Sequence, residues 1–436
     1  MKIKFPQWLS DKISIPLFLS SIIVTGLIFG IRYGSLLQSS ELWALDQFFR
    51  FRAFILPEKP DPRLLIITID QEDINYQQSL GWKLNGSLSD QALLQVLQKL
   101  NQYEVQTIGI DIYRDIKIEN KQLLNLFQEQ QNLYMVCRVG FPNANFLGIR
   151  PPESLKSEQI GFSDLVADES DIIRRQLINM TPPLPSLCQA KYSFNFLVFA
   201  HYISSLNQGS LYNISFDTIG VNITEYKTNA PANSLPKTVV FKYISSHSSG
   251  YQGVDAGGRQ ILLNYRALKS PEEIAFKIPL RSLLKGEIKG EIFKNRLVLI
   301  GTTVPDQDEL KTPYNDRSQL MTYGVFVQAQ MISQMLSAVL DNRPLLWFWS
   351  GLLEFIWIWF WSAIPSFFTG KKWQLFSIFG SACLLTAVNF FLFIYGGWIP
   401  LIPVLLSLMV MSINSLIYHQ FSSKHSALSN QSSAIR

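Results

Sequence analysis

Apolar and polar positions along the chain fall into two regimes. Toward both ends the apolar residues run almost without interruption. Ile15–Ile31 carries no charge, Leu345–Ile364 carries only Glu354, and Leu375–Ile394 and Leu401–Tyr418 carry none. A helix needs about 20 apolar residues to cross a hydrocarbon core of about 30 Å. The pattern therefore predicts four transmembrane helices, at 15–32, 345–364, 375–394 and 401–418. Pro365 closes the second run, and Gly396, Gly397 and Pro400 form a tight turn between the third and fourth. The first run is too long for a signal peptide and no small-x-small site follows it, so it reads as an uncleaved anchor.

Between the runs, over residues 33–344, the pattern changes to short β-branched stretches alternating with helical stripes. Leu64–Asp70 and Thr107–Tyr113 are continuous apolar runs, as expected of strands covered on both faces. Leu133–Val139 reads as a third strand. Ser87–Leu100 places Leu88, Ala92, Leu93, Val96, Leu97 and Leu100 on one helical stripe, and Asn120–Gln131 reads as a second helix. This βαβαβ order predicts an α/β domain with a largely parallel sheet flanked by helices. Further on the pattern predicts a strand at Arg174–Met180 and a helix at about Leu187–Leu206. An irregular insertion rich in Asn, Ser, Gly and Pro occupies 207–258. Strands at Gln260–Tyr265 and Arg296–Thr302 follow, then a helix at Gly324–Leu340 that leads almost directly into the second span. The Ser-rich segment 419–436 reads as a disordered tail.

Charge gives the spans a direction. Lys2, Lys4 and Lys12 precede the first, Lys371 and Lys372 separate the second and third, and Lys424 and Arg436 follow the fourth. Residues 1–14, the dilysine loop and the tail are therefore expected on the cytoplasmic side, with 33–344 exported across a plasma (inner) membrane. The formal net charge of +5 arises in the flanks, because Tyr33–Pro344 holds 30 Lys and Arg against 31 Asp and Glu. It gives no support for nucleic-acid binding. Cys137 and Cys188 fall in the exported segment, where a disulfide is allowed. With Cys137 on a strand and Cys188 on the expected helix, the reading favours two buried free thiols.

The candidate chemistry is acidic. Asp70 and Asp111 end buried parallel strands, where open α/β sheets bind ligands, although capping a helix or satisfying loop amides is the favoured use for them. Asp308, Thr312 and Tyr314 follow the Arg296–Thr302 strand and border the same edge. Asp164, Asp168, Asp171, Arg174 and Arg175 lack the spacing of a calcium loop and read as a solvated turn. Glu354 is an acid inside a span with no basic residue in the other apolar runs, which suits a packing role. No phosphate-binding glycine loop, nucleophile elbow, histidine cluster or metal-ligand set occurs, so no cofactor or metal is expected.

Several segments together resemble the CHASE2 domain, an extracytoplasmic sensory module of bacterial signalling proteins. They are Leu45–Arg52, Ile66–Asp70, Gly109–Ile112, Gly161–Asp164 through Arg174, Leu262–Arg266, Leu297–Gly301, Asp308 through Thr312-Pro313-Tyr314, and Tyr323-Gly324-Val325 through Gln328-Ala329-Gln330. One span before and three after is also that family's layout. Two departures stand out. Gly81-Trp82-Lys83-Leu84-Asn85 replaces a Trp-Pro-rich stretch, and Gln328 replaces the usual His. The resemblance makes Trp82 a further ligand candidate. It implies a non-enzymatic sensor of a small molecule or envelope component. The chain ends soon after the fourth span, so the output is expected on a separate partner protein, and homo-oligomerisation stays open. An envelope enzyme using strand-end carboxylates and a membrane scaffold are the alternatives.

Overall fold

The computed structural model describes residues 15–434 apart from 142–144, 169, 207–208, 229–230, 232–233, 316–320 and 368–370. Lys2, Lys4, Lys12 and Arg436, and the side chains of Lys371, Lys372 and Lys424, lie outside what is described. In chain order the main elements are α1 (Ile15–Tyr33), α2 (Gln38–Ile55), β1 (Leu64–Ile69), α3 (Gln71–Ser79), α4 (Asp90–Gln102), β2 (Thr107–Asp111), α5 (Lys121–Glu129), β3 (Leu133–Cys137), β4 (Ile160–Phe162) and β5 (Arg175–Asn179). They continue as α6 (Phe194–Ser204), β6 (Ser210–Phe216), β7 (Gly220–Lys227), β8 (Lys237–Lys242), β9 (Arg259–Leu262), β10 (Phe276–Pro279), β11 (Leu297–Thr302), α7 (Gly324–Leu340), α8 (Gly351–Ala363), α9 (Lys371–Ile394) and α10 (Ile402–Ala434). The chain divides into two compact units. One holds residues 1–48, 245–255 and 346–436, and the other holds 49–244 and 256–345.

The second unit is built on a six-stranded sheet in the order β10-β1-β11-β2-β3-β4, parallel throughout. β1 shows why the strands are apolar without alternation. Leu65, Ile67 and Ile69 enter a core with α4 and α5, while Leu64 and Ile66 enter a core with α6 and α7 on the opposite face. Ser89 caps α4 and Asn120 caps α5, each accepting backbone N–H bonds from the first turn. β11, late in sequence, lies in the middle of the sheet between β1 and β2.

The expected strand at 174–180 forms over Arg175–Asn179 and pairs antiparallel with Arg259–Leu262 in a separate two-stranded ribbon. Two expectations change. The helix expected from Leu187 starts only at Phe194, because residues 190–193 run extended alongside β4 and β5, where Tyr192 bridges Asn179 and Ser193 bridges Phe162. That extension holds Cys188 beside the end of β3, and Cys137 and Cys188 form a disulfide with their Cα atoms 5.6 Å apart. The expectation of two free thiols is thus overturned, since it assumed a helical Cys188. The insertion contains an antiparallel meander, β6-β7-β8.

α7 is buried on every side from Gly324 to Val339. Its polar residues serve the backbone around it. Gln330 Oε1 accepts from Arg266 N at 3.0 Å, and Gln330 Nε2 donates to Pro271 O at 3.1 Å. Ser333 Oγ donates to Asp61 at 2.7 Å.

In the first unit α1, α8 and α10 pack pairwise and α9 packs on α10. Small polar residues join them: Thr25 Oγ1 donates to Ser362 Oγ and Ser362 Oγ donates to Ser21 O, both at 3.2 Å. α1 and Ile402–Phe421 are long and apolar enough to cross a membrane, whereas the apolar parts of α8 and α9 are shorter. Residues 345–350 are not helical, and α10 continues through the segment expected to be disordered. Glu354 is not an isolated acid. α1 runs past its apolar stretch, and Arg32 in its last turn pairs with Glu354 at 2.7 Å, both side chains buried. The Arg32 guanidinium also donates to the Ser249 carbonyl, on a hairpin at 245–255. Ser249 Oγ donates to Trp398 O at 2.7 Å, and Tyr251 meets the Trp398 ring edge-on.

Candidate functional site

A cavity of about 870 Å³ opens at the carboxyl end of the parallel sheet. β2 supplies Asp111 and then Tyr113, β11 ends in Thr302, and Arg138 and Ser163 follow β3 and β4. The Gln307–Lys311 loop forms the rim, and Gly324 and Gln328 of α7 close the far side. This is where an open α/β sheet collects ligands, because successive strands end there and their loops splay apart.

Asp111 follows the last core residue of its strand, so the pleat delivers its carboxyl into the cavity. Burial holds this carboxyl well above the usual aspartate range, and the nearby Asp308 raises it further. Asp308 stands on the more open rim with a positive backbone φ of 51°. Burial of its carboxyl pushes it to about 6, against the opposing pull of the Gly324 N–H and Arg138. A Cβ on Gly324 would stand under 3.0 Å from the Asp308 carboxylate and would displace it. Asp164 is also raised by burial, although Val139 N donates to it at 2.9 Å. Tyr113 and Ser163 share a 2.6 Å hydrogen bond across the cavity, and burial pushes the Tyr113 hydroxyl to about 12. Gln328 is held on both sides: its Oε1 accepts from Asn195 at 2.7 Å, and its Nε2 donates to Ser163 O at 3.4 Å.

Of the six candidate ligand residues, Asp111 and Asp308 line this cavity. The other four lie elsewhere. Asp70 caps α3 in a reciprocal capping box with Asp73 and pairs with Arg281 at 2.9 Å. Trp82 packs against the α4–α5 core. Thr312 is buried and bonded to Asn315. Tyr314 donates to Arg266 O at 3.0 Å, and Arg50 Nε donates to Pro313 O at 2.8 Å, so this loop is a clasp. The supposed solvated turn divides. Asp168 is buried between Arg174 and Arg175 at 2.7 and 3.0 Å, while Asp164 and Asp171 join the cavity wall. Tyr113, Arg138 and Ser163 were not singled out, although each lies one or two residues past a strand end.

The wall carries Asp111, Asp164, Asp171, Asp308 and Glu309 against Arg138 and Lys311, and Lys311 pairs with Asp171 at 3.3 Å. No group of three His, Cys, Asp or Glu in a metal-holding arrangement occurs among the described residues.

The family model for the CHASE2 domain matches residues 23–367. No curated protein and no solved structure gives a match. The chain belongs to the CHASE2 domain family, a family of extracellular sensory domains.

Proposed function

We propose that the chain is a membrane-anchored sensor whose strand-end cavity binds a small molecule outside the cell, without catalysis. One observation carries this reading: a cavity of ligand size at the carboxyl edge of the sheet is lined by Asp111, an acid kept from its ordinary ionisation by burial. Among the described residues the cavity wall holds no histidine or cysteine, which favours recognition over acid–base or nucleophilic chemistry. In this reading α1, α8, α9 and α10 are the four spans, with the termini cytoplasmic and the α/β unit exported.

Ligand binding would be relayed through segments that continue from the α/β unit into the helical one. The hairpin at 245–255 lies in sequence between β8 and β9, yet it bonds Arg32, Gln38 and Trp398. α7 leads through residues 341–350 to α8. A partner protein receives the signal on the cytoplasmic side.

The test uses the full chain in mild detergent with a metabolite panel. A compound that raises the melting temperature of the wild type and of Asp70→Ala, but not of Ser163→Trp, supports the cavity as the site. A cysteine pair at Thr25 and Ser362 then reads the relay, through a ligand-dependent change in cross-linking rate. Stabilisation that survives Ser163→Trp would reject the cavity, and turnover of a bound compound would reject the non-catalytic reading.

A further inference from the structure

Asp111 differs from the other partly or fully buried acids of the α/β unit. Asp61 is held by Arg63 and Ser333, Asp168 by two arginines, Asp73 by Arg281 and the Asp70 amide, and Glu58 by Arg343. Burying a carboxylate is costly unless such partners replace its water. Asp111 is partly buried in the cavity wall, yet it makes no hydrogen bond and no ion pair with any described residue. Its one strong electrostatic neighbour, Asp308, is of like charge. A group built this way lacks its counter-charge.

Resting on the cavity reading above, we infer that the ligand is an organic cation whose amine, guanidinium or quaternary nitrogen seats between Asp111 and Asp308. Three further features fit this chemistry. Among the described residues the wall is acidic in excess, and one of its two bases is already engaged by Asp171. Tyr113 and Phe141 offer ring surface in the same wall, and aromatic faces attract cations. The volume of about 870 Å³ suits an organic molecule, and no three-carboxylate cage for a bare metal ion occurs among the described residues. Arg138, exposed at the mouth and lying over Phe146 at 5.3 Å, leaves room for an anionic or polar tail on the same ligand.

The inference has a proton signature. Groups facing Asp111 are Asp308 and Glu309 on the rim loop, Asp164 and Asp171 after β4, Arg138 after β3, Lys311, and Tyr113 two residues past the end of β2. Among the described residues acids outnumber bases, so the cavity without a ligand keeps the Asp111 proton to higher pH. A cation binds the ionised form. Affinity therefore rises with pH, up to about tenfold per unit while Asp111 remains protonated, and a proton is released on binding.

The experiment is calorimetry and thermal unfolding of the full chain in mild detergent. The probes are choline and agmatine, against 3,3-dimethylbutan-1-ol, a neutral isostere of choline, and glutarate. The expected result is binding of at least one cation and of neither counterpart, weakened at least tenfold in Asp111→Asn and unchanged in Asp70→Ala. Binding of the neutral or anionic probe, lost in Asp111→Asn, would overturn the cation inference and leave the cavity reading standing. Cation binding that is equal in wild type, Asp111→Asn and Ser163→Trp would overturn both. Failure of both cations at millimolar concentration would overturn the inference, while the metabolite panel judges the cavity separately.

Discussion

Replacing Cys137 and Cys188 by serine tests how the cavity wall is held. The bridge closes a loop with a sequence separation of 51. In the chain-entropy model a loop of that length restricts the unfolded ensemble by about 4 kcal/mol at 25 °C. For a unit of this size, about 2–4 °C of melting temperature accompanies each kcal/mol, so the expected loss is roughly 8–16 °C. Both half-cystines are fully buried, packed with Val139, Phe162 and Leu177, so the serine hydroxyls add a further cost. The bridge also lies next to the site. Cys137 O accepts from Ser163 N at 3.0 Å, and Ser163 and Arg138 both line the cavity. The assay is thermal unfolding of the full chain by intrinsic fluorescence, wild type against the double variant, with and without dithiothreitol. The reductant should lower the wild-type transition toward the variant and leave the variant where it is. A maleimide gel shift on intact cells adds a second readout, because only an exported domain keeps the pair oxidised. Equal melting temperatures for wild type and double variant would refute the structural role. Free thiols in intact cells would refute the exported placement.

Other residues give equally direct outcomes. Asp70→Ala costs about 1 kcal/mol through loss of the α3 cap and leaves ligand-induced stabilisation intact, as equilibrium unfolding and thermal shift will read. Gly161→Ala forces a Cβ to under 3.0 Å from the Phe194 backbone, so overpacking by about 1–3 kcal/mol is expected in denaturant melts. Arg32→Ala and Glu354→Gln each leave an uncompensated buried partner and cost about 3–5 kcal/mol, while Arg32→Met with Glu354→Leu recovers most of that loss. If the double variant is as unstable as the sum of the single ones, the pair is not the interaction that matters.

Much of the sheet was legible because a strand buried on both faces can hold little but apolar residues. Leu64–Ile69, Thr107–Asp111, Leu133–Cys137 and Leu297–Thr302 lie within the ranges that their hydropathy implies. β10 was not legible, since its edge position leaves Phe276 and Lys277 exposed and breaks the apolar run. β5 was recognised as a strand but not assigned to its ribbon, because pairing direction depends on a partner 85 residues away at β9. α2, which begins with Gln38-Ser39-Ser40-Glu41, was missed because its stripe is weak and Glu41 turns inward to accept from the Leu401 and Ile402 amides that open α10.

The acids divide along the same line. Asp70 and Asp111 are indistinguishable in sequence, each closing a buried strand. Asp70 is followed at once by a helix whose first turn offers Asp73 N, so it becomes a cap. Asp111 is followed by a turn that leads away, so its carboxyl is left to the cavity. Position at a strand end is a local property, and the order of residues determined it. So did the apolar runs and the helix caps, which rest on contacts within a few residues. The Cys137–Cys188 bridge, the Arg32–Glu354 pair, the clasp at Thr312–Tyr314 and the meeting of Asp111 with Asp308 join residues far apart in the chain. Only the tertiary structure decided those, because each depends on where a distant segment comes to rest.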